Sequence, residues 1–198
     1  MIYSFPIKQR LGFTLTELAI TLGVTGVIIA ATWSAFGEIR ENMQSNRNFA
    51  ILTQVVNDIQ TFYSDRPPAN MPVTNMRITR RLNTLRLFPD DVSFVDTGDP
   101  ATDRFETVYN SLIQVSLSPS GSINNRGAGF IIDFSRLSSA QCVRLAMNII
   151  QNRNNKLAWM RINSDPDYDP IAAPPSDIQV AAKCNENAQA ALGVGYTF

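Results

Sequence analysis

The feature that most constrains this chain is a long apolar run near its amino terminus. Residues 13–37 read FTLTELAITLGVTGVIIAATWSAFG, and Glu17 is the only charged residue among them. As an α-helix, with a rise of about 1.5 Å per residue, this run would be roughly 37 Å long, which exceeds the bilayer core of about 30 Å. A soluble core helix would carry polar residues at helical spacing. The run therefore predicts a transmembrane helix over residues 13–37.

A short basic segment precedes this run. Residues 1–12, MIYSFPIKQRLG, contain Lys8 and Arg10 and no acidic residue, which favours a cytoplasmic amino end. A secretory signal peptide has its small-residue cleavage site after the apolar stretch, whereas here the small residue, Gly12, comes before it. Residues 1–12 are therefore either a leader that is removed or the start of an uncleaved signal anchor.

Glu17 is a carboxylate inside the apolar run. A charged side chain at the centre of a membrane costs about 2.5–3.5 kcal/mol on insertion scales, so an acidic residue there is a functional candidate. Cleavage after Gly12 would give Phe13 a free ammonium group four residues before Glu17. That ammonium group, from the same chain or from a neighbouring one, is the predicted counter-charge.

Small residues mark one face of the same helix. They lie at positions i, i+4, i+7 and i+11, and they are Ala19, Gly23, Gly26 and Ala30. A face of small residues lets helix backbones approach closely in lipid or in a helix bundle. Membrane helices are also rich in glycine and alanine in general, so the pattern fits either a specific contact or composition alone.

The composition excludes several classes of function. The 198 residues suffice for one domain with an appendage, and 17 basic and 17 acidic residues give a net charge of zero, which disfavours nucleic acid as the main partner. The chain has no histidine, so histidine-based triads and metal sites are excluded. We find no phosphate-binding loop or nucleophile elbow, and we expect no cofactor.

One acidic motif resembles a metal site. Asp165, Asp167 and Asp169 have the spacing that opens an EF-hand loop. Pro170 stands where the loop needs glycine, and Ser176 stands where it needs glutamate. An EF-hand is excluded. We predict no metal site, with the three acids solvating a loop, and the alternative is an irregular calcium site.

The rest of the chain predicts a mixed α+β head. An amphipathic helix over 38–65 continues the apolar helix and ends before Pro67, with its buried stripe at Leu52, Val55, Val56, Ile59, Phe62 and Tyr63. A second helix is predicted over 76–87 and a third over 139–151, with Ser138 or Ser139 as its cap. Strands are predicted over 111–117, 129–134, 156–162 and the terminal LGVGYTF.

Charges alternate in blocks before the first of these strands. Residues 76–87 are basic, with Arg77, Arg80, Arg81 and Arg86, whereas residues 90–106 carry six acidic residues and Arg104. Such blocks are ordinarily solvated faces. Alternatively, basic and acidic patches of neighbouring subunits meet in an assembly.

The amino-terminal pattern resembles a known family. Gly12 followed by FTLTE and an unbroken apolar run is similar to the start of type IV prepilins and related pseudopilins. The resemblance implies cleavage between Gly12 and Phe13 by a prepilin peptidase, methylation of the Phe13 amine, and bundling of the helices in a filament core. It also implies that Glu17 docks an incoming subunit against the terminal amine of another.

The head resembles type IVb pilins in the order of its parts. A strand, a turn, a strand and LSSAQCVRLA are followed by a variable region, a second cysteine and a final short strand. Cys142 and Cys184 would face an oxidising compartment after translocation and most simply pair, the alternative being two buried thiols. Two features depart from the class: the leader is short, and a Phe start is more typical of type IVa pilins.

The predicted domains are a leader over 1–12, a transmembrane and polymerisation helix over 13–37, an amphipathic helix over 38–65, and a globular head over 66–198. The head contains a disulfide-bounded region, 142–184. The predicted fold class is α+β, with the long helix packed on an antiparallel sheet.

The predicted function is that of a non-enzymatic structural subunit of a type IVb pilus, which supports adhesion, aggregation, motility or conjugative contact. Its predicted partners are other pilin subunits, the prepilin peptidase, the inner-membrane assembly machinery and, before assembly, the membrane itself. The precursor would lie in the inner membrane and the assembled subunit on the cell surface of a Gram-negative bacterium. The alternatives are a type II secretion pseudopilin and a membrane-anchored periplasmic binding or enzymatic domain.

Overall fold

The computed structural model describes residues 14–64, 76–118, 128–154, 156–163, 168–170 and 173–198. The chain divides into two compact units, Met1–Arg40 and Glu41–Phe198. The helices are α1 (Leu15–Ser64), α2 (Thr79–Thr84), α3 (Ser139–Gln151) and α4 (Asp177–Cys184). The strands are β1 (Met76–Arg77), β2 (Val92–Val95), β3 (Arg104–Thr107), β4 (Leu112–Ser118), β5 (Gly129–Leu137), β6 (Leu157–Ile162) and β7 (Ala190–Thr197).

The described part of the first unit is the amino-terminal portion of α1. Among the described residues, Leu15–Trp33 is the stretch that is long and apolar enough to cross a membrane, and none of it is buried. Leu15, Val27 and Trp33 are each more than 70% exposed. The predicted apolar helix is confirmed, and its residence in a membrane stays a prediction.

The second unit, which we call the head, contains an antiparallel sheet. Its described strands run in the order β2-β3-β4-β5-β7-β6, and β1 pairs with β4 beside this path. On β5 the side chains of Phe130, Ile132 and Phe134 enter the main core, whereas Asp133 lies on the opposite face of the sheet. This alternation has the period of two that a strand with one buried face requires.

The carboxy-terminal half of α1 fills the core of the head. Its buried apolar residues are each 4% exposed or less, and they are Ile51, Leu52, Val55, Val56, Ile59 and Tyr63. The prediction for Phe62 was wrong, because this side chain is 41% exposed and Tyr63 packs against Phe198 instead. Ile51 is buried and was not predicted.

The helix predicted over 76–87 is shorter than expected. Met76 and Arg77 form β1, because their backbone pairs with Leu117 and Ser116 of β4. Helix α2 begins only at Thr79 and has six residues. The sequence also predicts that Ile78, Leu82 and Leu85 face inward; Ile78 and Leu82 are buried, whereas Leu85 is only partly buried.

Helix α3 agrees closely with its prediction. The Ser138 hydroxyl accepts a hydrogen bond from the Gln141 amide at 3.2 Å, and the Gln141 side chain accepts one from the Ser138 amide at 2.9 Å. This reciprocal capping box fixes the start of α3. Helix α4 was not predicted, although Ser176 and Gln179 form a capping box of the same kind.

Candidate functional site

The predicted assembly residue, Glu17, lies in the first turn of α1. Its Oε2 accepts hydrogen bonds from the Thr14 amide at 3.0 Å and from the Thr14 hydroxyl at 2.9 Å, and its own amide donates to Thr14 Oγ1 at 3.3 Å. This is a capping box, and the amino-terminal end of the helix dipole favours a carboxylate there. The residues that the sequence predicted as cleavage site and counter-charge, Gly12 and Phe13, lie outside the described residues.

A row of threonines continues from Glu17 along the apolar helix. Thr21 donates to the carbonyl of Glu17 at 2.9 Å, Thr25 to that of Thr21 at 2.6 Å, and Thr32 to that of Ile28 at 3.0 Å. Each hydroxyl is thereby satisfied within the helix, which is the arrangement that an apolar environment requires. This row was not predicted, although Thr14, Thr21, Thr25 and Thr32 fall at i, i+7, i+11 and i+18, which is one helix face.

The small-residue face lies on another side of α1. With about 100° per residue, Gly23 and Gly26 are turned by more than 90° from the threonine row. Ala19, Gly23, Gly26 and Ala30 are all exposed in the chain. A Cβ atom built on Gly23 or Gly26 would meet no atom within 4 Å, so packing within the chain does not require glycine at either position.

One residue of the basic block, Arg80, pairs with two residues of the acidic block inside the chain. Arg80 Nε donates to Asp103 Oδ2 at 2.6 Å, and Arg80 Nη2 donates to Asp96 Oδ1 at 2.7 Å. Asp103 has no exposed side-chain surface, and its Oδ1 also accepts from the Thr97 amide at 3.1 Å. The hydrogen bond from Arg80 holds the pKa of Asp103 below its usual value. This pairing within one chain was predicted neither by the interpretation as solvated faces nor by that as contacts between neighbouring subunits.

A second set of charges lies on the outer face of the sheet, opposite the main core. Asp133 Oδ2 is 3.5 Å from Arg77 Nη1, and its Oδ1 is 3.7 Å from Arg161 Nη2. Between Asp133 and Arg161 lies Gly193, where a Cβ atom would be 2.9 Å from Asp133 Oδ1. Burial raises the pKa of Asp133, and the two arginines oppose that rise.

The predicted disulfide joins Cys142 of α3 to Cys184, the last residue of α4. The two Cα atoms are 5.8 Å apart, and both cysteines are fully buried. Both cysteines belong to the main hydrophobic core, which also contains Leu145, Val180 and Leu192. The pairing is confirmed as part of the fold.

The described residues bring no three acidic or cysteine side chains together in a way that could hold a metal ion. Of the acidic motif in the carboxy-terminal loop, Asp165 and Asp167 lie outside the described residues, and Asp169 lies within them.

Comparison with known proteins gives one kind of match. No family model matches the sequence, and no curated protein matches it. Among solved structures, the chain is similar to the crystal structure of a type IVb pilin from Salmonella typhi, with a TM-score of 0.54 and 13% sequence identity. The match covers 75% of this chain and 99% of that chain. It shows that the α+β fold is that of a type IVb pilin, as the resemblance of the sequence implied.

Proposed function

We propose that this chain is the structural subunit of a type IVb pilus, and that it polymerises through the apolar part of α1. The observation that carries the proposal is that Leu15–Trp33 is wholly unburied in a chain whose fold is that of a type IVb pilin. Exposure of this much apolar surface to water is strongly unfavourable, so the helix requires lipid or other chains around it. A precursor in the inner membrane and a polymer at the cell surface supply these two environments in turn.

The proposed assembly step depends on Glu17. Prepilin peptidase would cleave after Gly12 and methylate the new amine of Phe13. In the apolar filament core an unpaired carboxylate is costly, and the amine of a neighbouring subunit would compensate it. Contact between two different patches on successive subunits is heterologous, and heterologous contacts build open filaments. Thr14 already supplies two hydrogen bonds to the carboxylate, which leaves its other oxygen, Oε1, for a neighbour.

The glycines of α1 support a close contact between subunits. Glycine in a helix interior is less favourable than alanine by about 1 kcal/mol. Gly23 and Gly26 therefore destabilise the helix without any packing requirement in their own chain. A close contact between helices in the filament core would explain both glycines, because Cβ atoms at these positions would collide with the neighbouring helix.

The remaining parts of the proposal concern partners and role. The subunit would contact other pilin subunits, the prepilin peptidase and the inner-membrane assembly machinery, and it would need no cofactor or catalytic residue. The finished fibre would serve adhesion, aggregation, motility or conjugative contact.

The test combines the mature amino terminus with the location of the chain. Mass spectrometry of sheared surface fibres should find a chain that begins with N-methylated Phe13, and Gly12→Glu should leave the leader attached. Fibres that stay within the cell envelope would favour a type II secretion pseudopilin. A chain that keeps residues 1–12 and is absent from fibres would contradict the proposal and favour a membrane-anchored periplasmic domain.

A further inference from the structure

Within the head, the buried face of α1 changes character along its length. The later turns are apolar, from Ile51 to Tyr63, whereas the preceding turns bury polar side chains. Gln44 is 8% exposed, Ser45 is 1% exposed and Asn48 is fully buried. We call Gln44, Ser45 and Asn48 the polar collar.

The polar collar contacts segments that lie far away along the chain. Gln44 Oε1 accepts a hydrogen bond from the side-chain amide of Gln141, whose own oxygen caps the start of α3. Asn48 Nδ2 donates to Ser111 Oγ at 3.2 Å, in the turn that follows β3. Two separate parts of the head therefore contact the same two turns of α1.

These contacts do not make the polar collar strongly stabilising. A hydrogen bond inside a protein contributes little net stability, whereas a buried polar atom without a partner costs more than one such bond contributes. Ser45 Oγ and Asn48 Oδ1 are buried and have no hydrogen-bond partner within the described part of the chain. Apolar side chains of similar size would serve stability at least as well, so the collar needs another explanation.

The apolar residues of α1 leave its axial position ambiguous. Ile51, Val55, Ile59 and Tyr63 follow one another at intervals of four residues, as do Leu52 and Val56. A slide of one helical turn, about 5.4 Å, would bring most of these side chains into the site of the next one. Because hydrophobic burial is not directional, it distinguishes poorly between the two positions.

The polar collar distinguishes the observed axial position of α1 from positions displaced by one helical turn. A slide in one direction would put Asn48 into the site of Leu52, which is buried in the main hydrophobic core. A slide in the other direction would put Leu52 opposite the hydroxyl of Ser111, which would lose its partner. Either change breaks the hydrogen bond between Asn48 and Ser111, and so adds unpaired buried polar groups to the two that are already present.

We propose that the polar collar selects the axial register of α1 within the head, and that it does so at the expense of some stability. Single buried polar residues fix register in coiled coils by the same physics. The inference concerns the head alone and does not depend on the proposed function.

The test measures the register directly in the full chain, purified in detergent. Spin labels on Asn57→Cys in α1 and Ile178→Cys in α4 report a distance by pulsed electron resonance, since both sites are exposed and the native cysteines are paired. The test variant adds Ser45→Ala, Asn48→Leu and Ser111→Ala, which removes the collar's central hydrogen bond together with both of its partners.

The doubly labelled chain with an unchanged polar collar should give one peak in the distribution of distances between the two labels. The test variant should unfold at the same or a higher denaturant concentration and give a second peak, displaced by up to about 5 Å, in at least a tenth of the molecules. The control, Asn46→Leu, makes a similar polar-to-apolar change on the exposed side of α1 and should keep one peak. A single unshifted peak in the test variant overturns the proposal, and so does loss of its folded state, since the collar would then hold the fold rather than select its register.

Discussion

The disulfide between Cys142 and Cys184 should contribute a large part of the stability of the head. It closes a loop with a sequence separation of 42, which includes α3, β6 and α4. For a loop of this length, the chain-entropy relation gives about 4 kcal/mol at 25 °C. For a domain of this size, about 1 kcal/mol shifts Tm by roughly 2–4 °C. We therefore expect reduction to lower Tm by about 8–16 °C.

The assay is thermal unfolding of the detergent-solubilised chain, followed by circular dichroism with and without a reductant. The matched variant is Cys142→Ala/Cys184→Ala, which also loses two buried sulfur atoms. The variant should therefore melt slightly below the reduced wild type, because it adds a packing defect to the loss of the cross-link. A reductant should leave the Tm of the variant unchanged.

Two results would refute this reasoning. If the reduced wild type melts within about 2 °C of the oxidised form, the cross-link does not restrict the unfolded chain as the loop length requires. If the reductant lowers the Tm of the cysteine-free variant equally, the effect has another origin. Thiol titration of the oxidised, unfolded chain should find no free thiol, since both cysteines are paired.

Three further predictions concern single positions. Glu17→Ala and Glu17→Gln should be inserted and cleaved normally but give few fibres, measured as the ratio of sheared to membrane-bound subunit; wild-type yield from both would contradict the docking step. Gly195→Ala should destabilise the head by about 1–3 kcal/mol in denaturant unfolding, because its Cβ would lie 2.5 Å from the Trp159 ring, whereas Gly23→Ala, with no atom within 4 Å, should leave head stability unchanged. The lowered pKa of Asp103 stabilises the fold above the unfolded value of about 4, and this contribution is lost as the pH falls through the lower folded pKa. The Tm deficit of Asp103→Asn should therefore shrink below about pH 4, and a deficit that is constant with pH would show that Asp103 acts through packing alone.

Long periodic segments were predictable from the sequence. The apolar run from Phe13, the amphipathic stripe of α1 and the cap of α3 all depend on residues that are close together along the chain. The last strand, β7, and its neighbours were also expected, because each is a continuous apolar piece bounded by turn residues.

Short elements were not predictable in the same way. Strands β2 and β3 have four residues each and lie in the acidic stretch, so their apolar members, such as Phe105, are too few to show a period. These two strands form because they pair with each other, and the local sequence does not show that pairing. Helix α4 follows Pro174 and Pro175, which favoured a loop, although the Ser176 capping box was present in the sequence.

The candidate site was predictable only in part. The importance of Glu17 follows from its charge, and its capping box with Thr14 could have been read from the spacing T-x-x-E. The ion pairs of Arg80 could not be predicted from the sequence, because Asp96 and Asp103 lie close to Arg80 only after β2 and β3 have paired. Contacts of this kind depend on the tertiary structure, and sequence blocks of one charge do not reveal them.

The two units differ in how much of their apolar surface they bury within the chain. The head buries a continuous core and pairs several charged side chains within the chain, as in Arg80 with Asp103 and Arg47 with Asp91. In the described part of the amino-terminal unit, Thr14 and the threonine row make local hydrogen bonds, and none of Leu15–Trp33 is buried. This division fits the proposed subunit, which would be held in a membrane by its apolar helix and would then polymerise through the same helix.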